Sequence, residues 1–390
     1  MAPNDYRLVA AIPTPFTSDL TIDFSSFLDH ARRLLAAGLD GVAILATVGE
    51  GPSLSIHERI AAIDVIAAGG ITGDRLVVAS EACNVEDGAT LCREAIAAGA
   101  SAALIVPPYY YRNVTAEGVA RFYAELVERV GDHRLRIIFY HIPQISGVPI
   151  EAGVVDRLRA AYPGTFVGYH DASGDWAHTE AWTARAAAGA LAGAGAPAGA
   201  GALAGAGALA GASALAGASA LAVTANYETR AIEHRALGGS GCISGTLNYT
   251  AELARRVLGG TPLANGLVAT HRLAHECAVL REFPAVSALK AALGVRYADA
   301  RWRAVMPPLQ PLDDAAVDRL TAALAADHAE AGVPAASPLP ARRRRPHPTA
   351  DPDAWGRLRR RPRSDLDYFV TPSILPASRR ILRVREAYTP

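Results

Sequence analysis

Short apolar runs alternate along this chain with longer segments in which apolar residues recur every three to four positions. The short runs fall at residues 7–11, 41–45, 76–80, 102–106, 136–140 and 166–169, and again at 221–224 and 241–244. Their length and their β-branched and aliphatic content predict strands. Between them, residues 24–37, 55–68, 86–98, 116–130, 151–161 and 229–237 carry the helical period. Punctuation agrees with this reading. Asp23 and Thr115 stand where N-caps belong, Gly38 where a C-cap belongs, and Ser55 precedes Glu58 at capping-box spacing.

Eight strand–helix steps predict an α/β protein built as a parallel (β/α)8 TIM barrel. An open doubly wound sheet would want a glycine fingerprint after the first strand. Ile12-Pro13-Thr14-Pro15-Phe16 stands there instead. From about residue 250 to 333 the pattern is helical throughout, which predicts a C-terminal helical extension. The expected organisation is therefore a barrel over 1–249, a helical region over 250–333 and a separate tail over 334–390.

Two segments break the pattern. Residues 189–222 repeat a six-residue Gly/Ala unit with at most one Leu per unit. Such a segment buries little and is expected to be a disordered or weakly helical surface insertion. It falls where the helix after the sixth strand belongs, so that helix is expected to be replaced or distorted. Residues 334–390 hold 13 Arg against 5 Asp and Glu, a net of +8. Because the whole chain is neutral, the body carries −8. An acidic body argues against nucleic-acid binding there. The basic runs at 342–345 and 357–363 are expected to be a solvated, disordered tail, and nucleic acid is not an expected partner.

The four cysteines, Cys83, Cys92, Cys242 and Cys277, form no C-x-x-C pair and no zinc spacing. They read as free thiols of a cytoplasmic protein, with no metal site implied. No basic region followed by an apolar run opens the chain, so no signal peptide is expected. No apolar stretch has the character of a membrane span, since the uncharged repeat is dominated by Gly and Ala.

In a parallel barrel the reactive groups sit at the C-terminal ends of the strands. Thr47-Val48-Gly49-Glu50 follows the second strand, Pro107-Pro108-Tyr109-Tyr110-Tyr111 the fourth, Tyr140-His141-Ile142-Pro143 closes the fifth, and Tyr169-His170-Asp171-Ala172-Ser173-Gly174-Asp175 closes the sixth. A glycine turn beside a hydroxyl can present N–H groups and Thr47 Oγ1 to a carboxylate. Facing tyrosines can relay a proton, because a phenol both donates and accepts.

These motifs, with Gly239-Ser240-Gly241-Cys242-Ile243-Ser244, resemble the dihydrodipicolinate synthase / N-acetylneuraminate lyase family of aldolase-type lyases. The likeness runs over about 6–182 and 221–331. It implies a small-molecule 2-keto acid such as pyruvate as substrate, no cofactor, and a homo-oligomer, commonly a tetramer. By position it implies Thr47 and Tyr110 as a proton relay, Tyr140 as a hydroxyl near the reacting carbon, and Val48, Gly49, Ile243 and Ser244 as substrate-binding residues.

The family's Schiff-base lysine stands at the end of strand six, and His170 occupies that position here. Imidazole cannot form the electron-withdrawing imine that an amine forms. The single lysine, Lys290, lies on an expected C-terminal helix and is read as a surface or interface charge. Val48 replaces a hydroxyl residue, and Ile145 stands where the synthase places an arginine. The expected function is that of a lyase with His170 as acid–base group. A catalytically inactive keto-acid binder or regulator of an active paralogue is the alternative. A metal-assisted reaction through His170 is disfavoured, because strand alternation turns Asp171 to the opposite face.

Overall fold

The computed structural model describes residues 6–193, 221–259 and 263–330. Eight parallel strands close into a barrel in chain order: β1 (Arg7–Ala11), β2 (Gly41–Ile44), β3 (Gly73–Ser80), β4 (Ala100–Ile105), β5 (Ile137–His141), β6 (Phe166–Asp171), β7 (Ala222–Ala225) and β8 (Gly241–Ser244). β8 pairs back on β1, from Arg7 opposite Gly241 to Ala10 opposite Ser244. The helices between the strands are α1 (Phe24–Ala36), α2 (Ile56–Ala68), α3 (Val85–Ala97), α4 (Ala116–Val130), the single turn α5 (Pro143–Ser146), α6 (Ala152–Ala161), α7 (Trp176–Gly193) and α8 (Ala231–Ala236). After β8 come α9 (Leu247–Leu258), α10 (Leu263–Arg281), α11 (Ala285–Tyr297) and α12 (Asp314–Glu330).

Both faces of the strands are buried, which is why they read as continuous apolar runs. On β1, Leu8 and Ala10 pack outward against the helix layer, with Phe27 and Leu34 of α1 and Ala251 and Ala254 of α9. Val9 and Ala11 face inward. There they join Ala43, Val77, Ala79, Ala102, Leu104, Ile138, Tyr140 and Ile243 in the cluster that fills the barrel. Ala11, Ala43, Ala79 and Ala102 are the small members of this inner layer.

Helix starts follow the expected chemistry. Asp23 accepts the Ser26 N–H at 3.0 Å, and Ser55 and Glu58 form a reciprocal capping box. Thr115 accepts from the Gly118 N–H. Two strands run further than their apolar stretches. β3 begins at Gly73 with three exposed residues, and β6 continues through His170 and Asp171, both buried and hydrogen-bonded. Polar residues inside a ladder hide its true ends from a hydropathy reading.

One expectation is corrected. The helix after β6 is present as α7, and it runs past the start of the Gly/Ala repeat to Gly193. Alanine-rich sequence has high helix propensity, so the first repeat residues extend the barrel helix rather than displace it. The rest of the repeat and the tail over 334–390 lie outside the described residues. No helix among the described residues is long and apolar enough to cross a membrane.

Candidate active site

The loop after β2 reverses direction through two left-handed residues, Leu45 at φ 63° and Glu50 at φ 55°. Neither is glycine, so each carries backbone strain that the surrounding structure must hold. Between them, Thr47–Gly49 forms a 3-10 turn, and Gly51–Ser53 forms a second. A Cβ on Gly51 would lie 2.1 Å from the Leu45 carbonyl oxygen, so only glycine fits this crossing. The turn carries the Thr47 side chain toward β5.

Strand register places the remaining groups in one row. Tyr140 on β5 stands opposite His170 on β6, and His170 stands opposite Thr224 on β7. The Tyr140 and His170 rings lie 5.2 Å apart. Thr47 Oγ1 is 3.1 Å from the Tyr140 hydroxyl, and Thr47 donates to Glu81 Oε1 at 2.8 Å. His170 Nδ1 meets Thr224 Oγ1 at 3.1 Å. The structure thus brings Thr47, Tyr140 and His170 together, with Thr224 and Glu81 beside them.

Burial sets their protonation. Desolvation lowers His170 to about 4, against a partial offset from the charge of Asp171. The ring is therefore neutral at pH 7. Burial, reinforced by the charge of Glu81, raises Tyr140 above the ordinary phenol range. Burial raises Glu81 to about 7, even though the Thr47 hydrogen bonds and the charge of Arg59 favour its ionised form.

Other predicted residues stand differently. Tyr110 is 77% exposed, with its ring edge-on to Tyr111, and makes no contact with Thr47 or Tyr140. Its neighbour Tyr109 turns inward instead and donates to the Glu81 carbonyl at 3.3 Å. Three tyrosines in a loop have no period to show which one turns in. The Gly49 N–H is donated to the Ala46 carbonyl at 2.7 Å, closing the turn, so it is not free to cradle a carboxylate. Val48 packs partly buried between the barrel cluster and Leu289, Leu293 and Trp302. Ile243 faces the barrel interior, whereas the Ser244 hydroxyl pairs with Thr246 at 2.8 Å on the other side of the strand.

Lys290 overturns its expected place. It is fully buried rather than a surface charge. Its ammonium pairs with Glu50, donates to the Ala304 carbonyl at 2.7 Å and lies 4.1 Å over the Phe16 ring. Glu50 completes the arrangement by accepting the Met306 N–H at 2.7 Å. Burial lowers Lys290 to about 8, with Glu50 holding it up. The lysine thus clamps α11 to the loop after β2. Thr47, Tyr140 and His170 are not among its partners.

Asp171 does turn to the opposite face, as alternation predicts. It accepts from Thr179 Oγ1 at 2.6 Å and from His178 Nδ1 at 3.0 Å, while His178 Nε2 accepts the Trp182 indole N–H at 3.1 Å. The His141 ring stacks on His178 with centroids 4.5 Å apart, and its Nδ1 accepts the Ile150 N–H at 3.2 Å. His141, Asp171 and His178 form the one group among the described residues with spacing for a metal ion. Both His178 nitrogens already have protein partners, so the group is accounted for as a buried polar network between β5, β6 and α7. Sequence reading missed Glu81, which follows the last strand residue. The signal was present, since Val77 and Ala79 face inward and period two puts residue 81 on the same side.

Comparison with known proteins adds the following. The family model described as "Dihydrodipicolinate synthetase family" matches residues 4–229. An uncharacterized DapA-like lyase of Chloroflexus aurantiacus is 37% identical over 175 residues, covering 44% of this chain and 58% of that protein. A 4-hydroxy-tetrahydrodipicolinate synthase of Rhizobium meliloti is 31% identical over 166 residues, covering 43% and 55%. The aligned sequence thus spans a little over half the length of these curated relatives. Dihydrodipicolinate synthase from Agrobacterium tumefaciens superimposes with a TM-score of 0.66 at 29% identity, over 82% of this chain and 99% of that structure.

Proposed function

This chain belongs to the dihydrodipicolinate synthetase family, and from that premise we propose that it is a carbon–carbon or carbon–oxygen lyase acting on pyruvate or another 2-keto acid, with His170 as acid–base group and no lysine Schiff base. The observation that supports this reading is the convergence of Thr47, Tyr140 and His170 at the C-terminal end of the barrel. Cleavage beside a carbonyl needs a group that takes up a proton and donors that hold the developing oxyanion. The Tyr140 hydroxyl lies at this end of the barrel, within hydrogen-bond reach of Thr47. His170 is a neutral imidazole whose Nδ1 is engaged by Thr224, so this reading assigns proton transfer to its Nε2.

The lysine argument supports the same reading. An imine-forming amine must be free to reach the substrate carbonyl. The Lys290 ammonium is held by Glu50 and by the Ala304 carbonyl. A second reading is a catalytically inactive member that binds a 2-keto acid or regulates an active paralogue. The burial of His170 favours it, because an imidazole lowered to about 4 is a weak base at neutral pH.

A binding and turnover screen of 2-keto acids, pyruvate first, separates the two on wild type and His170→Ala. Turnover that falls about 100-fold or more in the variant, with binding retained, supports the lyase. Wild-type binding without turnover supports the inactive binder.

A further inference from the structure

We propose that Glu81 is the proton-accepting end of the site, taking up the substrate's proton through Thr47 and Tyr140. The proposal rests on the lyase reading above and divides its proton work, with His170 serving the substrate carbonyl and Glu81 taking the proton of the departing hydroxyl. Its ground is geometric. Glu81 is 5% exposed and sits on the inward face directly beyond β3. Its carboxylate accepts the Thr47 hydroxyl at 2.8 Å, and Thr47 Oγ1 in turn lies 3.1 Å from the Tyr140 hydroxyl. Because Thr47 donates its one proton to Glu81, it can only accept from Tyr140. Tyr140 therefore donates to Thr47, and the line has one direction, from the barrel mouth to the carboxylate.

A buried carboxylate at the end of a hydroxyl chain is otherwise difficult to explain. It has no ion-pair partner within salt-bridge distance among the described residues. Arg59 of α2 acts on it only through its field, and the Arg59 Nε is donated to the Leu54 carbonyl at 2.9 Å. The other titratable groups facing it are Tyr109 from the loop after β4 and Tyr140 from β5, with His170 beyond Tyr140. Tyr109 also donates to the Glu81 backbone carbonyl at 3.3 Å, which holds the residue in place. Burial without a counter-ion favours the protonated carboxyl, so Glu81 can take up a proton near neutral pH, where buried His170 stays uncharged.

For a 4-hydroxy-2-keto acid the transfer balances without a co-reactant. The C4 hydroxyl proton passes to the Tyr140 oxygen as the Tyr140 proton moves to Thr47 and the Thr47 proton to Glu81. The C3–C4 bond breaks, and its electron pair forms the enolate of the 2-keto acid while an aldehyde departs. The proton then returns from Glu81 through Thr47 and Tyr140 to C3. With pyruvate alone, the same relay exchanges a methyl proton with the site.

The test is exchange of the pyruvate methyl protons with heavy water, followed by proton NMR across pH 5.5–8.5, on full-length wild type, Glu81→Gln and Glu81→Asp. The expected wild-type rate rises through a single ionisation near neutrality. Glu81→Gln loses about 100-fold or more together with that pH limb, and Glu81→Asp regains part of both. Glu81→Gln exchanging at the wild-type rate with the limb intact would overturn the proposal. If wild type itself neither exchanges nor cleaves any 2-keto acid, the lyase reading fails, and Glu81 is then decided by infrared difference spectra. A protonated carboxyl band that is lost in Glu81→Gln, titrates near neutrality and shifts in Thr47→Val upholds the buried relay. Ionisation in the ordinary carboxylate range, unmoved by Thr47→Val, refutes it.

Discussion

At the scale of single residues, one buried cation organises the ceiling of the barrel. Lys290 and Glu50 are both fully buried side chains, taken from a C-terminal helix and from the loop after β2. Two desolvated charges rarely add much net stability, but removing one of them strands the other. Lys290→Met is therefore expected to destabilise the protein by about 3–5 kcal/mol in urea unfolding, and Lys290→Met with Glu50→Leu to recover most of that loss. A single variant as stable as wild type would show that the pair is not formed. His170 is a different case. It is buried as a neutral ring, so its burial carries no charge penalty at pH 7. The contrast explains why sequence alone misplaced the lysine and placed the histidine. A strand end fixes where an inward side chain lies, whereas the helical period around Lys290 is apolar on every side and gives no direction.

At the scale of elements, the loop after β2 is the most constrained part of the site. Leu45 and Glu50 hold left-handed conformations, and Gly51 packs against the Leu45 carbonyl with no room for a methyl group. Gly51→Ala must shift the turn that carries Thr47, so 2-keto acid binding measured by calorimetry is expected to weaken at least tenfold while the far-ultraviolet circular dichroism spectrum stays that of the barrel. Unchanged affinity would mean that Thr47 is not part of the binding site. The strands themselves were legible, because a ladder covered on both faces must be apolar throughout. The ends of β3 and β6 were not, because β3 opens with three exposed residues and the polar residues ending β6 are satisfied by partners distant in sequence, such as Thr224 for His170. The same limit hid His178, which reads as a solvent-facing residue until the neighbouring element that covers it is known, whereas the alternation of Val77 and Ala79 on β3 already pointed Glu81 inward.

At the scale of the whole molecule, the pattern of buried histidines fixes the response to acid. Burial is the leading cause that lowers His30, His141, His170 and His234 to about 4 each. Between about 4 and the ordinary 6.5, the unfolded chain binds protons at these four sites that the folded chain does not. Stability from them is therefore complete above 6.5 and is lost as pH falls toward 4. Glu81 works in the opposite sense, since its raised value makes the folded chain bind the extra proton between about 4.5 and 7. Four groups outweigh one, each worth at most about 1.4 kcal/mol per pH unit. The urea midpoint is expected to fall clearly from pH 7.5 to pH 5, and an unchanged midpoint would contradict the buried, neutral assignment. At this scale the barrel, its chain order and the helical C-terminal region were all readable from periodicity. The clamp between α11 and the β2 loop was not, because it joins residues 240 apart in sequence.

The central claim is acid–base lyase chemistry at the end of a barrel strand without an imine. Its most direct test is turnover of the 2-keto acid identified by the screen, with and without sodium cyanoborohydride, followed by intact-mass spectrometry. The expected result is undiminished turnover and no gain in mass. Progressive inactivation with a keto-acid adduct mapped to Lys290 would contradict it.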